Sequence, residues 1–316
     1  MVPELSQIPV CSSVSADFSG DRHGLPLFLG FLLSLSVWSA PFAVMPDFEQ
    51  SMRPPGDNAA ERQTSPNNFV AGFNLDLFMR DLKATGAGTP VWMTGHQRWG
   101  YFFSPNRYYE KINPGWCAKR DLTMEIARKC RENGIRFQLA IPASMGPTQY
   151  QPAEVEQSFR YRQDDLTEYR NRYEEFVYDF LERYEEVLDG VVFIGSFPEK
   201  YTWFNELANL CRGINPDMVI SMEVPEGKEF PAGVIRAETL LRPQVEGGAP
   251  PARKEVLLIP LMTNPVFNGR PYDYATRYLK GVVRQSEQSG SQVTFVIPIA
   301  RRGKLLPSVI DQLGGL

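Results

Sequence analysis

Residues 190–222 read GVVFIGSFPEKYTWFNELANLCRGINPDMVISM. The apolar run Gly190–Gly195 predicts a strand, Trp203–Arg212 a helix, and Met218–Met222 a second strand. A strand, a helix and a strand within this length form one parallel crossover unit. Working outward, the same period repeats. On the N-terminal side lie a helix ending at Thr85 and broken by Gly86–Gly88, a strand at Pro90–Thr94, and a helix at Ala118–Asn133. That helix is closed by Asn133-Gly134. A strand at Ile135–Ile141 and a long amphipathic helix at Leu166–Leu188 follow. On the C-terminal side come strands at Val234–Ala237, Glu255–Met262 and Gln292–Ala300, with helices at Tyr272–Gln288 and Leu305–Leu313. The strands are continuous apolar runs, as strands covered on both faces require. The fold class expected is α/β, a (β/α)8 TIM-like barrel over 69–316. A doubly wound open sheet is the alternative, weakened because no GxGxxG or GxxxxGK[ST] motif occurs. No cofactor is expected.

The chain has 316 residues, a net charge of −4, 43% hydrophobic and 22% charged residues. This composition suits a folded domain. Basic charge is not clustered, which sets nucleic-acid binding aside. The two histidines, His23 and His96, cannot supply a multi-histidine zinc site. Cys11, Cys117, Cys130 and Cys211 show no CxxC spacing, so no metal site is expected and at most one disulfide can form.

Leu25–Val37, LPLFLGFLLSLSV, has the length of a signal-peptide apolar region and is short for a membrane span. Arg22 and His23 precede it. Small residues at Ser39, Ala40 and Ala43 follow, so cleavage near Ala40 or Ala43 is expected. Residues 1–43 are therefore read as a leader, giving a secreted or periplasmic protein without stable membrane insertion. Residues 44–68, rich in Pro, Asn, Gln and charge, read as a linker or irregular loop.

An ordered series of short motifs supports a resemblance. It comprises Phe73-Asn74, Thr85-Gly86-Ala87, Thr94-Gly95-His96-Gln97-Arg98-Trp99-Gly100-Tyr101, Ser104-Pro105-Asn106-Arg107-Tyr108, Arg120-Asp121-Leu122 and Asn133-Gly134-Ile135-Arg136-Phe137. Asn215-Pro216-Asp217 and Gly303-Lys304-Leu305-Leu306-Pro307 continue it. In this order the chain resembles the α-L-fucosidases, retaining glycoside hydrolases with a (β/α) barrel, over roughly residues 69–313. The resemblance implies a carbohydrate ligand and a contact from His96 to a sugar hydroxyl. It also exposes departures. Ile194 occupies the place of the family's nucleophilic Asp, and Gln97 that of a second His. The family's first strand has no counterpart here, so the ring could be incomplete there. A C-terminal β-sandwich is not expected within the chain.

Glycoside hydrolysis needs two carboxyl groups, and in a barrel they sit at the C-terminal strand ends. Glu223 ends the Met218–Met222 strand, and Glu199 follows Gly190–Gly195. These two are the catalytic candidates, with Glu226 and Glu238 behind them. Gln97, Trp99, Tyr101 and Trp203 join His96 as candidate sugar-binding residues, with Trp99 and Tyr101 read as a stacking platform. The leading reading is a fucosidase-like hydrolase with a nucleophile of its own. The alternative is a catalytically inactive glycan-binding barrel that lost it.

Overall fold

The computed structural model describes residues 42–48, 59–96, 100–146, 153–224, 230–239, 255–261 and 276–316. Its strands in chain order are β1 Phe42–Asp47, β2 Thr89–Met93, β3 Gly95–His96, β4 Tyr101–Phe102, β5 Gln138–Pro142, β6 Gly190–Ile194, β7 Val219–Met222, β8 Ile235–Thr239, β9 Glu255–Pro260 and β10 Gln292–Pro298. Eight of them close into a parallel barrel in the order β1-β10-β9-β8-β7-β6-β5-β2, and β3 and β4 pair as a separate hairpin. The register offsets between successive strands accumulate to eight residues around the ring. Eight strands with a shear of eight define the (β/α)8 barrel.

Two expectations are corrected. The barrel is complete at its first strand, because Phe42–Asp47 pairs with β10 on one side and β2 on the other. The linker expected over 44–68 therefore begins inside β1, and a helix, Ala59–Gly72, occupies its second half. Of the leader expected over 1–43, only Phe42 and Ala43 are described, and both belong to β1.

Bridge partners in a parallel ladder share a face, so one parity can be followed around the ring. The parity holding Phe42, Trp92 and Phe295 faces outward. Phe42 and Phe295 meet at 5.3 Å. Trp92 meets Phe78 of the outer helix Leu75–Ala84 at 5.5 Å and donates from Nε1 to Thr123 Oγ1, on helix Leu122–Glu132, at 3.0 Å. The other parity lines the lumen. Its apolar members Ala237, Val256 and Leu258 form their own cluster with Ile194, Ile235 and Val296.

The outer helices are fixed at their starts. Asn74 Oδ1 accepts from Leu77 N at 2.9 Å, and Asp121 Oδ1 from Met124 N at 3.0 Å, each satisfying an N-terminal donor. At the N-terminal face of the barrel, Asp189 Oδ2 accepts from Phe137 N at 2.8 Å. The segment after β10 returns to the first helices: Asn74 N donates to Arg302 O at 2.9 Å and Leu305 N to Asp81 Oδ2 at 3.2 Å.

The lower lumen is polar. Gln138 Oε1, Ser221 Oγ, Gln292 Oε1 and Thr294 Oγ1 are buried there without a protein partner among the described residues. A buried polar atom left unpaired costs about 1–3 kcal/mol. Thr294→Val removes one such hydroxyl at nearly constant volume and is expected to raise stability by about 1 kcal/mol. Urea midpoints check this, and a lower midpoint would show that the hydroxyl is hydrogen-bonded through internal water.

Candidate functional site

The lumen changes from closed to open along the strands. Val192, Ser221 and Thr294 are at most 1% exposed. Two residues further along the same strands, Ile194, Glu223 and Val296 are only half-buried. The lumen thus opens to solvent at the C-terminal strand ends, where barrel active sites form.

With a shear of eight, lumen side chains stack in layers of four drawn from alternate strands. The register sets Glu223 in one layer with Met45, Ala140 and Leu258. Ile194 stands one step higher with Met93 and Val296, and Asp47 one step above that with Pro142 and Pro260. Glu223 is accordingly a carboxyl group among apolar neighbours, deep in the mouth and still reached by water.

His96 owes its position to a tight hairpin. Thr94 N donates to Ala140 O at 3.0 Å, and the chain then turns so that Gly95 pairs with Phe102 and His96 with Tyr101. His96 is half-buried. The same pairing buries Tyr101 completely, and desolvation pushes its phenol well above the usual range. Tyr101 therefore presents no ring face to a ligand, which corrects its reading as a stacking platform. Gln97 and Trp99 lie outside the described residues.

Glu199 is exposed, in the segment between β6 and helix Phe204–Ile214. Phe197 and Tyr201 of that segment are buried, stack on each other at 4.9 Å, and meet Tyr173 of the outer helix Thr167–Tyr184 edge-on. The register that places Glu223 in the lumen does not extend to Glu199. Trp203 is half-buried, with the Arg170 guanidinium 5.2 Å from its ring centroid and Tyr201 against it at 5.5 Å. One ring face is already taken by a cation.

Asp47 was missed by sequence reasoning. It ends β1 on the lumen parity and is half-buried. The signal was present: an apolar run, Phe42–Met45, leading into Pro46-Asp47 resembles the run leading into Glu223.

Other chemistries find little support. Cys117, Cys130 and Cys211 are buried, and burial pushes their thiols up, Cys130 and Cys211 to about 12. None is a thiolate nucleophile at neutral pH. Among the described residues no group of three or more His, Cys, Asp or Glu side chains could hold a metal ion, and no helix is long and apolar enough to cross a membrane.

No protein-family model matches the chain, and no curated protein sequence does. Solved structures do. An alpha-L-fucosidase from Lactobacillus casei, in complex with alpha-L-fucose product, aligns with a TM-score of 0.62 at 12% identity, covering 87% of this chain and 94% of that one. One from Vibrio sp. strain EJY3 aligns with a TM-score of 0.62 at 14% identity, over 87% of this chain and 52% of that one. A GH29 alpha-L-fucosidase from Bacteroides thetaiotaomicron gives 0.63 at 10% identity, over 86% and 69%. At such identity the likeness shows the barrel fold.

Proposed function

We propose that this chain is a carbohydrate-active barrel protein of α-L-fucosidase type that seats a sugar in the barrel mouth, with Glu223 as its principal carboxyl group. The observation that carries the reading is the place of Glu223: on the lumen parity, half-buried, in a barrel whose solved likenesses include fucosidases. His96, in the hairpin that follows β2, three strands from β7 around the ring, is a candidate for contact with a sugar hydroxyl. Pairing of Glu223 with Glu199 has less support, because Glu199 is exposed beside aromatics that pack outward.

Ile194 favours a second reading, a glycan-binding barrel without hydrolysis. It stands on the lumen face at the position the resemblance assigns to the nucleophile, and a hydrocarbon side chain forms no glycosyl ester. Nitrophenol release from a panel of nitrophenyl glycosides, run beside calorimetry with the free sugars, separates the two. Release supports hydrolysis, binding without release supports the module, and neither would sink both.

We also propose that the chain is exported, on the strength of the apolar run Leu25–Val37. Cleavage after Ala40 leaves β1 whole, whereas cleavage after Ala43 removes Phe42 and Ala43, which are 3% and 0% exposed. A chain starting at Val44 is expected to unfold at least about 5 °C below one starting at Pro41. Thermal unfolding of the two checks this, and N-terminal sequencing of secreted material locates the cut.

A further inference from the structure

On the reading that the mouth takes a sugar, Asp47 acquires a role. In the ring order, β1 and β7 stand four strands apart in either direction, so they face each other across the lumen. Asp47 and Glu223 both lie on the lumen parity of these strands. Asp47 is held there. The next residue, Phe48, is fully buried with Trp92 at 4.8 Å and Phe103 at 4.9 Å, and Ile299 N donates to Asp47 O at 3.3 Å. With Phe48 wedged outward, Asp47 must face inward. Both carboxyl residues are half-buried, while Ala43 and Ser221 below them are at most 1% exposed.

The separation follows from barrel geometry. Two layers along the axis correspond to about 5 Å, at a rise of about 3.3 Å per residue and a tilt of about 36°. The interior of an eight-stranded barrel is just wide enough for side chains or one small ligand. An axial offset of this size plus any transverse gap exceeds the roughly 5–5.5 Å of retaining pairs and falls toward the 6.5–9.5 Å of inverting ones.

We infer that Asp47 and Glu223 are a carboxyl pair for single-displacement glycoside hydrolysis, a route that needs no nucleophile at Ile194. One carboxyl, protonated, gives its proton to the glycosidic oxygen as the bond to the anomeric carbon breaks and the electron pair leaves on that oxygen. A water oxygen bonds to the anomeric carbon from the opposite face and loses a proton to the other, ionised carboxyl. Glycoside and water become two hydroxyl compounds, and the pair regains its starting state by exchanging protons with solvent.

The test has two arms. For geometry, Asp47→Cys and Glu223→Cys are combined in a Cys11→Ser background and treated with a bismaleimide whose flexible spacer spans the barrel mouth, and the cross-linked peptide pair is read by mass spectrometry. The remaining cysteines are buried with raised thiol pKa and react slowly. Bridging in the double variant and in neither single variant is expected, and its absence overturns the pair. For chemistry, a glycoside cleaved by the unaltered chain is given to Asp47→Asn and Glu223→Gln. Each is expected to lose about 100-fold or more in kcat with KM little changed. Proton NMR is expected to show inverted configuration in the first product formed. Retained configuration, or full activity in Asp47→Asn, overturns the inference while sugar binding stands. If no sugar binds at all, the underlying reading falls, and with it the chemistry assigned to the pair.

Discussion

Replacing Trp92 by alanine is expected to lower stability by about 3–5 kcal/mol, a drop of about 10 °C in Tm for a chain of this size. Trp92 is 0% exposed and joins the outer face of β2 to three neighbouring segments. Its ring centroid lies 4.8 Å from that of Phe48, 5.7 Å from Phe73, 5.5 Å from Phe78 and 6.1 Å from Phe103, all four edge-to-face, the arrangement aromatic quadrupoles favour. Its Nε1 donates to Thr123 Oγ1, which also lies 2.5 Å from Ser104 Oγ. Truncation removes the apolar contacts and leaves a cavity that rings locked against one another cannot easily fill. Trp92→Phe keeps much of the packing and leaves Thr123 bonded to Ser104. It is expected to cost about 1–2 kcal/mol, so the difference measures the cavity. Chemical denaturation of both variants reads the two values. A loss below about 1 kcal/mol in Trp92→Ala would show that the aromatic cluster does not hold β2 to its helices.

Gly95→Ala is expected to open the β3–β4 hairpin. A Cβ at this position would stand 2.3 Å from the Phe102 ring, 2.6 Å from the Tyr101 carbonyl oxygen and 2.7 Å from the Phe102 Cα. Two of these three atoms are backbone and cannot swing aside, so the strands must part. Phe102 is fully buried, 5.1 Å from Phe176 and 4.8 Å from Tyr109, and parting disturbs that packing too. The expected cost is about 3 kcal/mol, at the upper end for overpacking. Gly281→Ala, inside helix Thr276–Ser289 with nothing within 4 Å, is the control and is expected to stabilise by about 0.5–1 kcal/mol. The chain has two histidines, so proton NMR with a His23→Gln reference follows His96 directly. An unmoved His96 resonance in Gly95→Ala would show that the hairpin does not set its position.

The barrel was legible where physics acts locally. The runs at Pro90–Thr94, Ile135–Ile141 and Gly190–Gly195 became β2, β5 and β6, because strands buried on both faces are apolar without alternation. Glu223 was legible for a related reason: a charge directly after such a run stands at a strand end. β1 was not, because Phe42–Met45 follows closely on another apolar run and is short enough to merge with a cleavage region. Asp47 was lost with it. The helix Ala59–Gly72 escaped notice because it carries Pro66 and little apolar periodicity. Tyr101 was misassigned because two-residue strands leave no period to read, and only the hairpin they form decides whether the ring faces solvent.

The placement of β1 bears on how the chain comes into being. The strand that must dock on β1's far side, Gln292–Pro298, is made roughly 250 residues later. At about 5–20 residues per second, the nascent polypeptide carries an unmatched ladder edge for tens of seconds. Such an edge invites pairing with other chains. A circular permutant that links the two native ends and begins between later strands would synthesise β10 and β1 back to back, and so shorten that exposed interval.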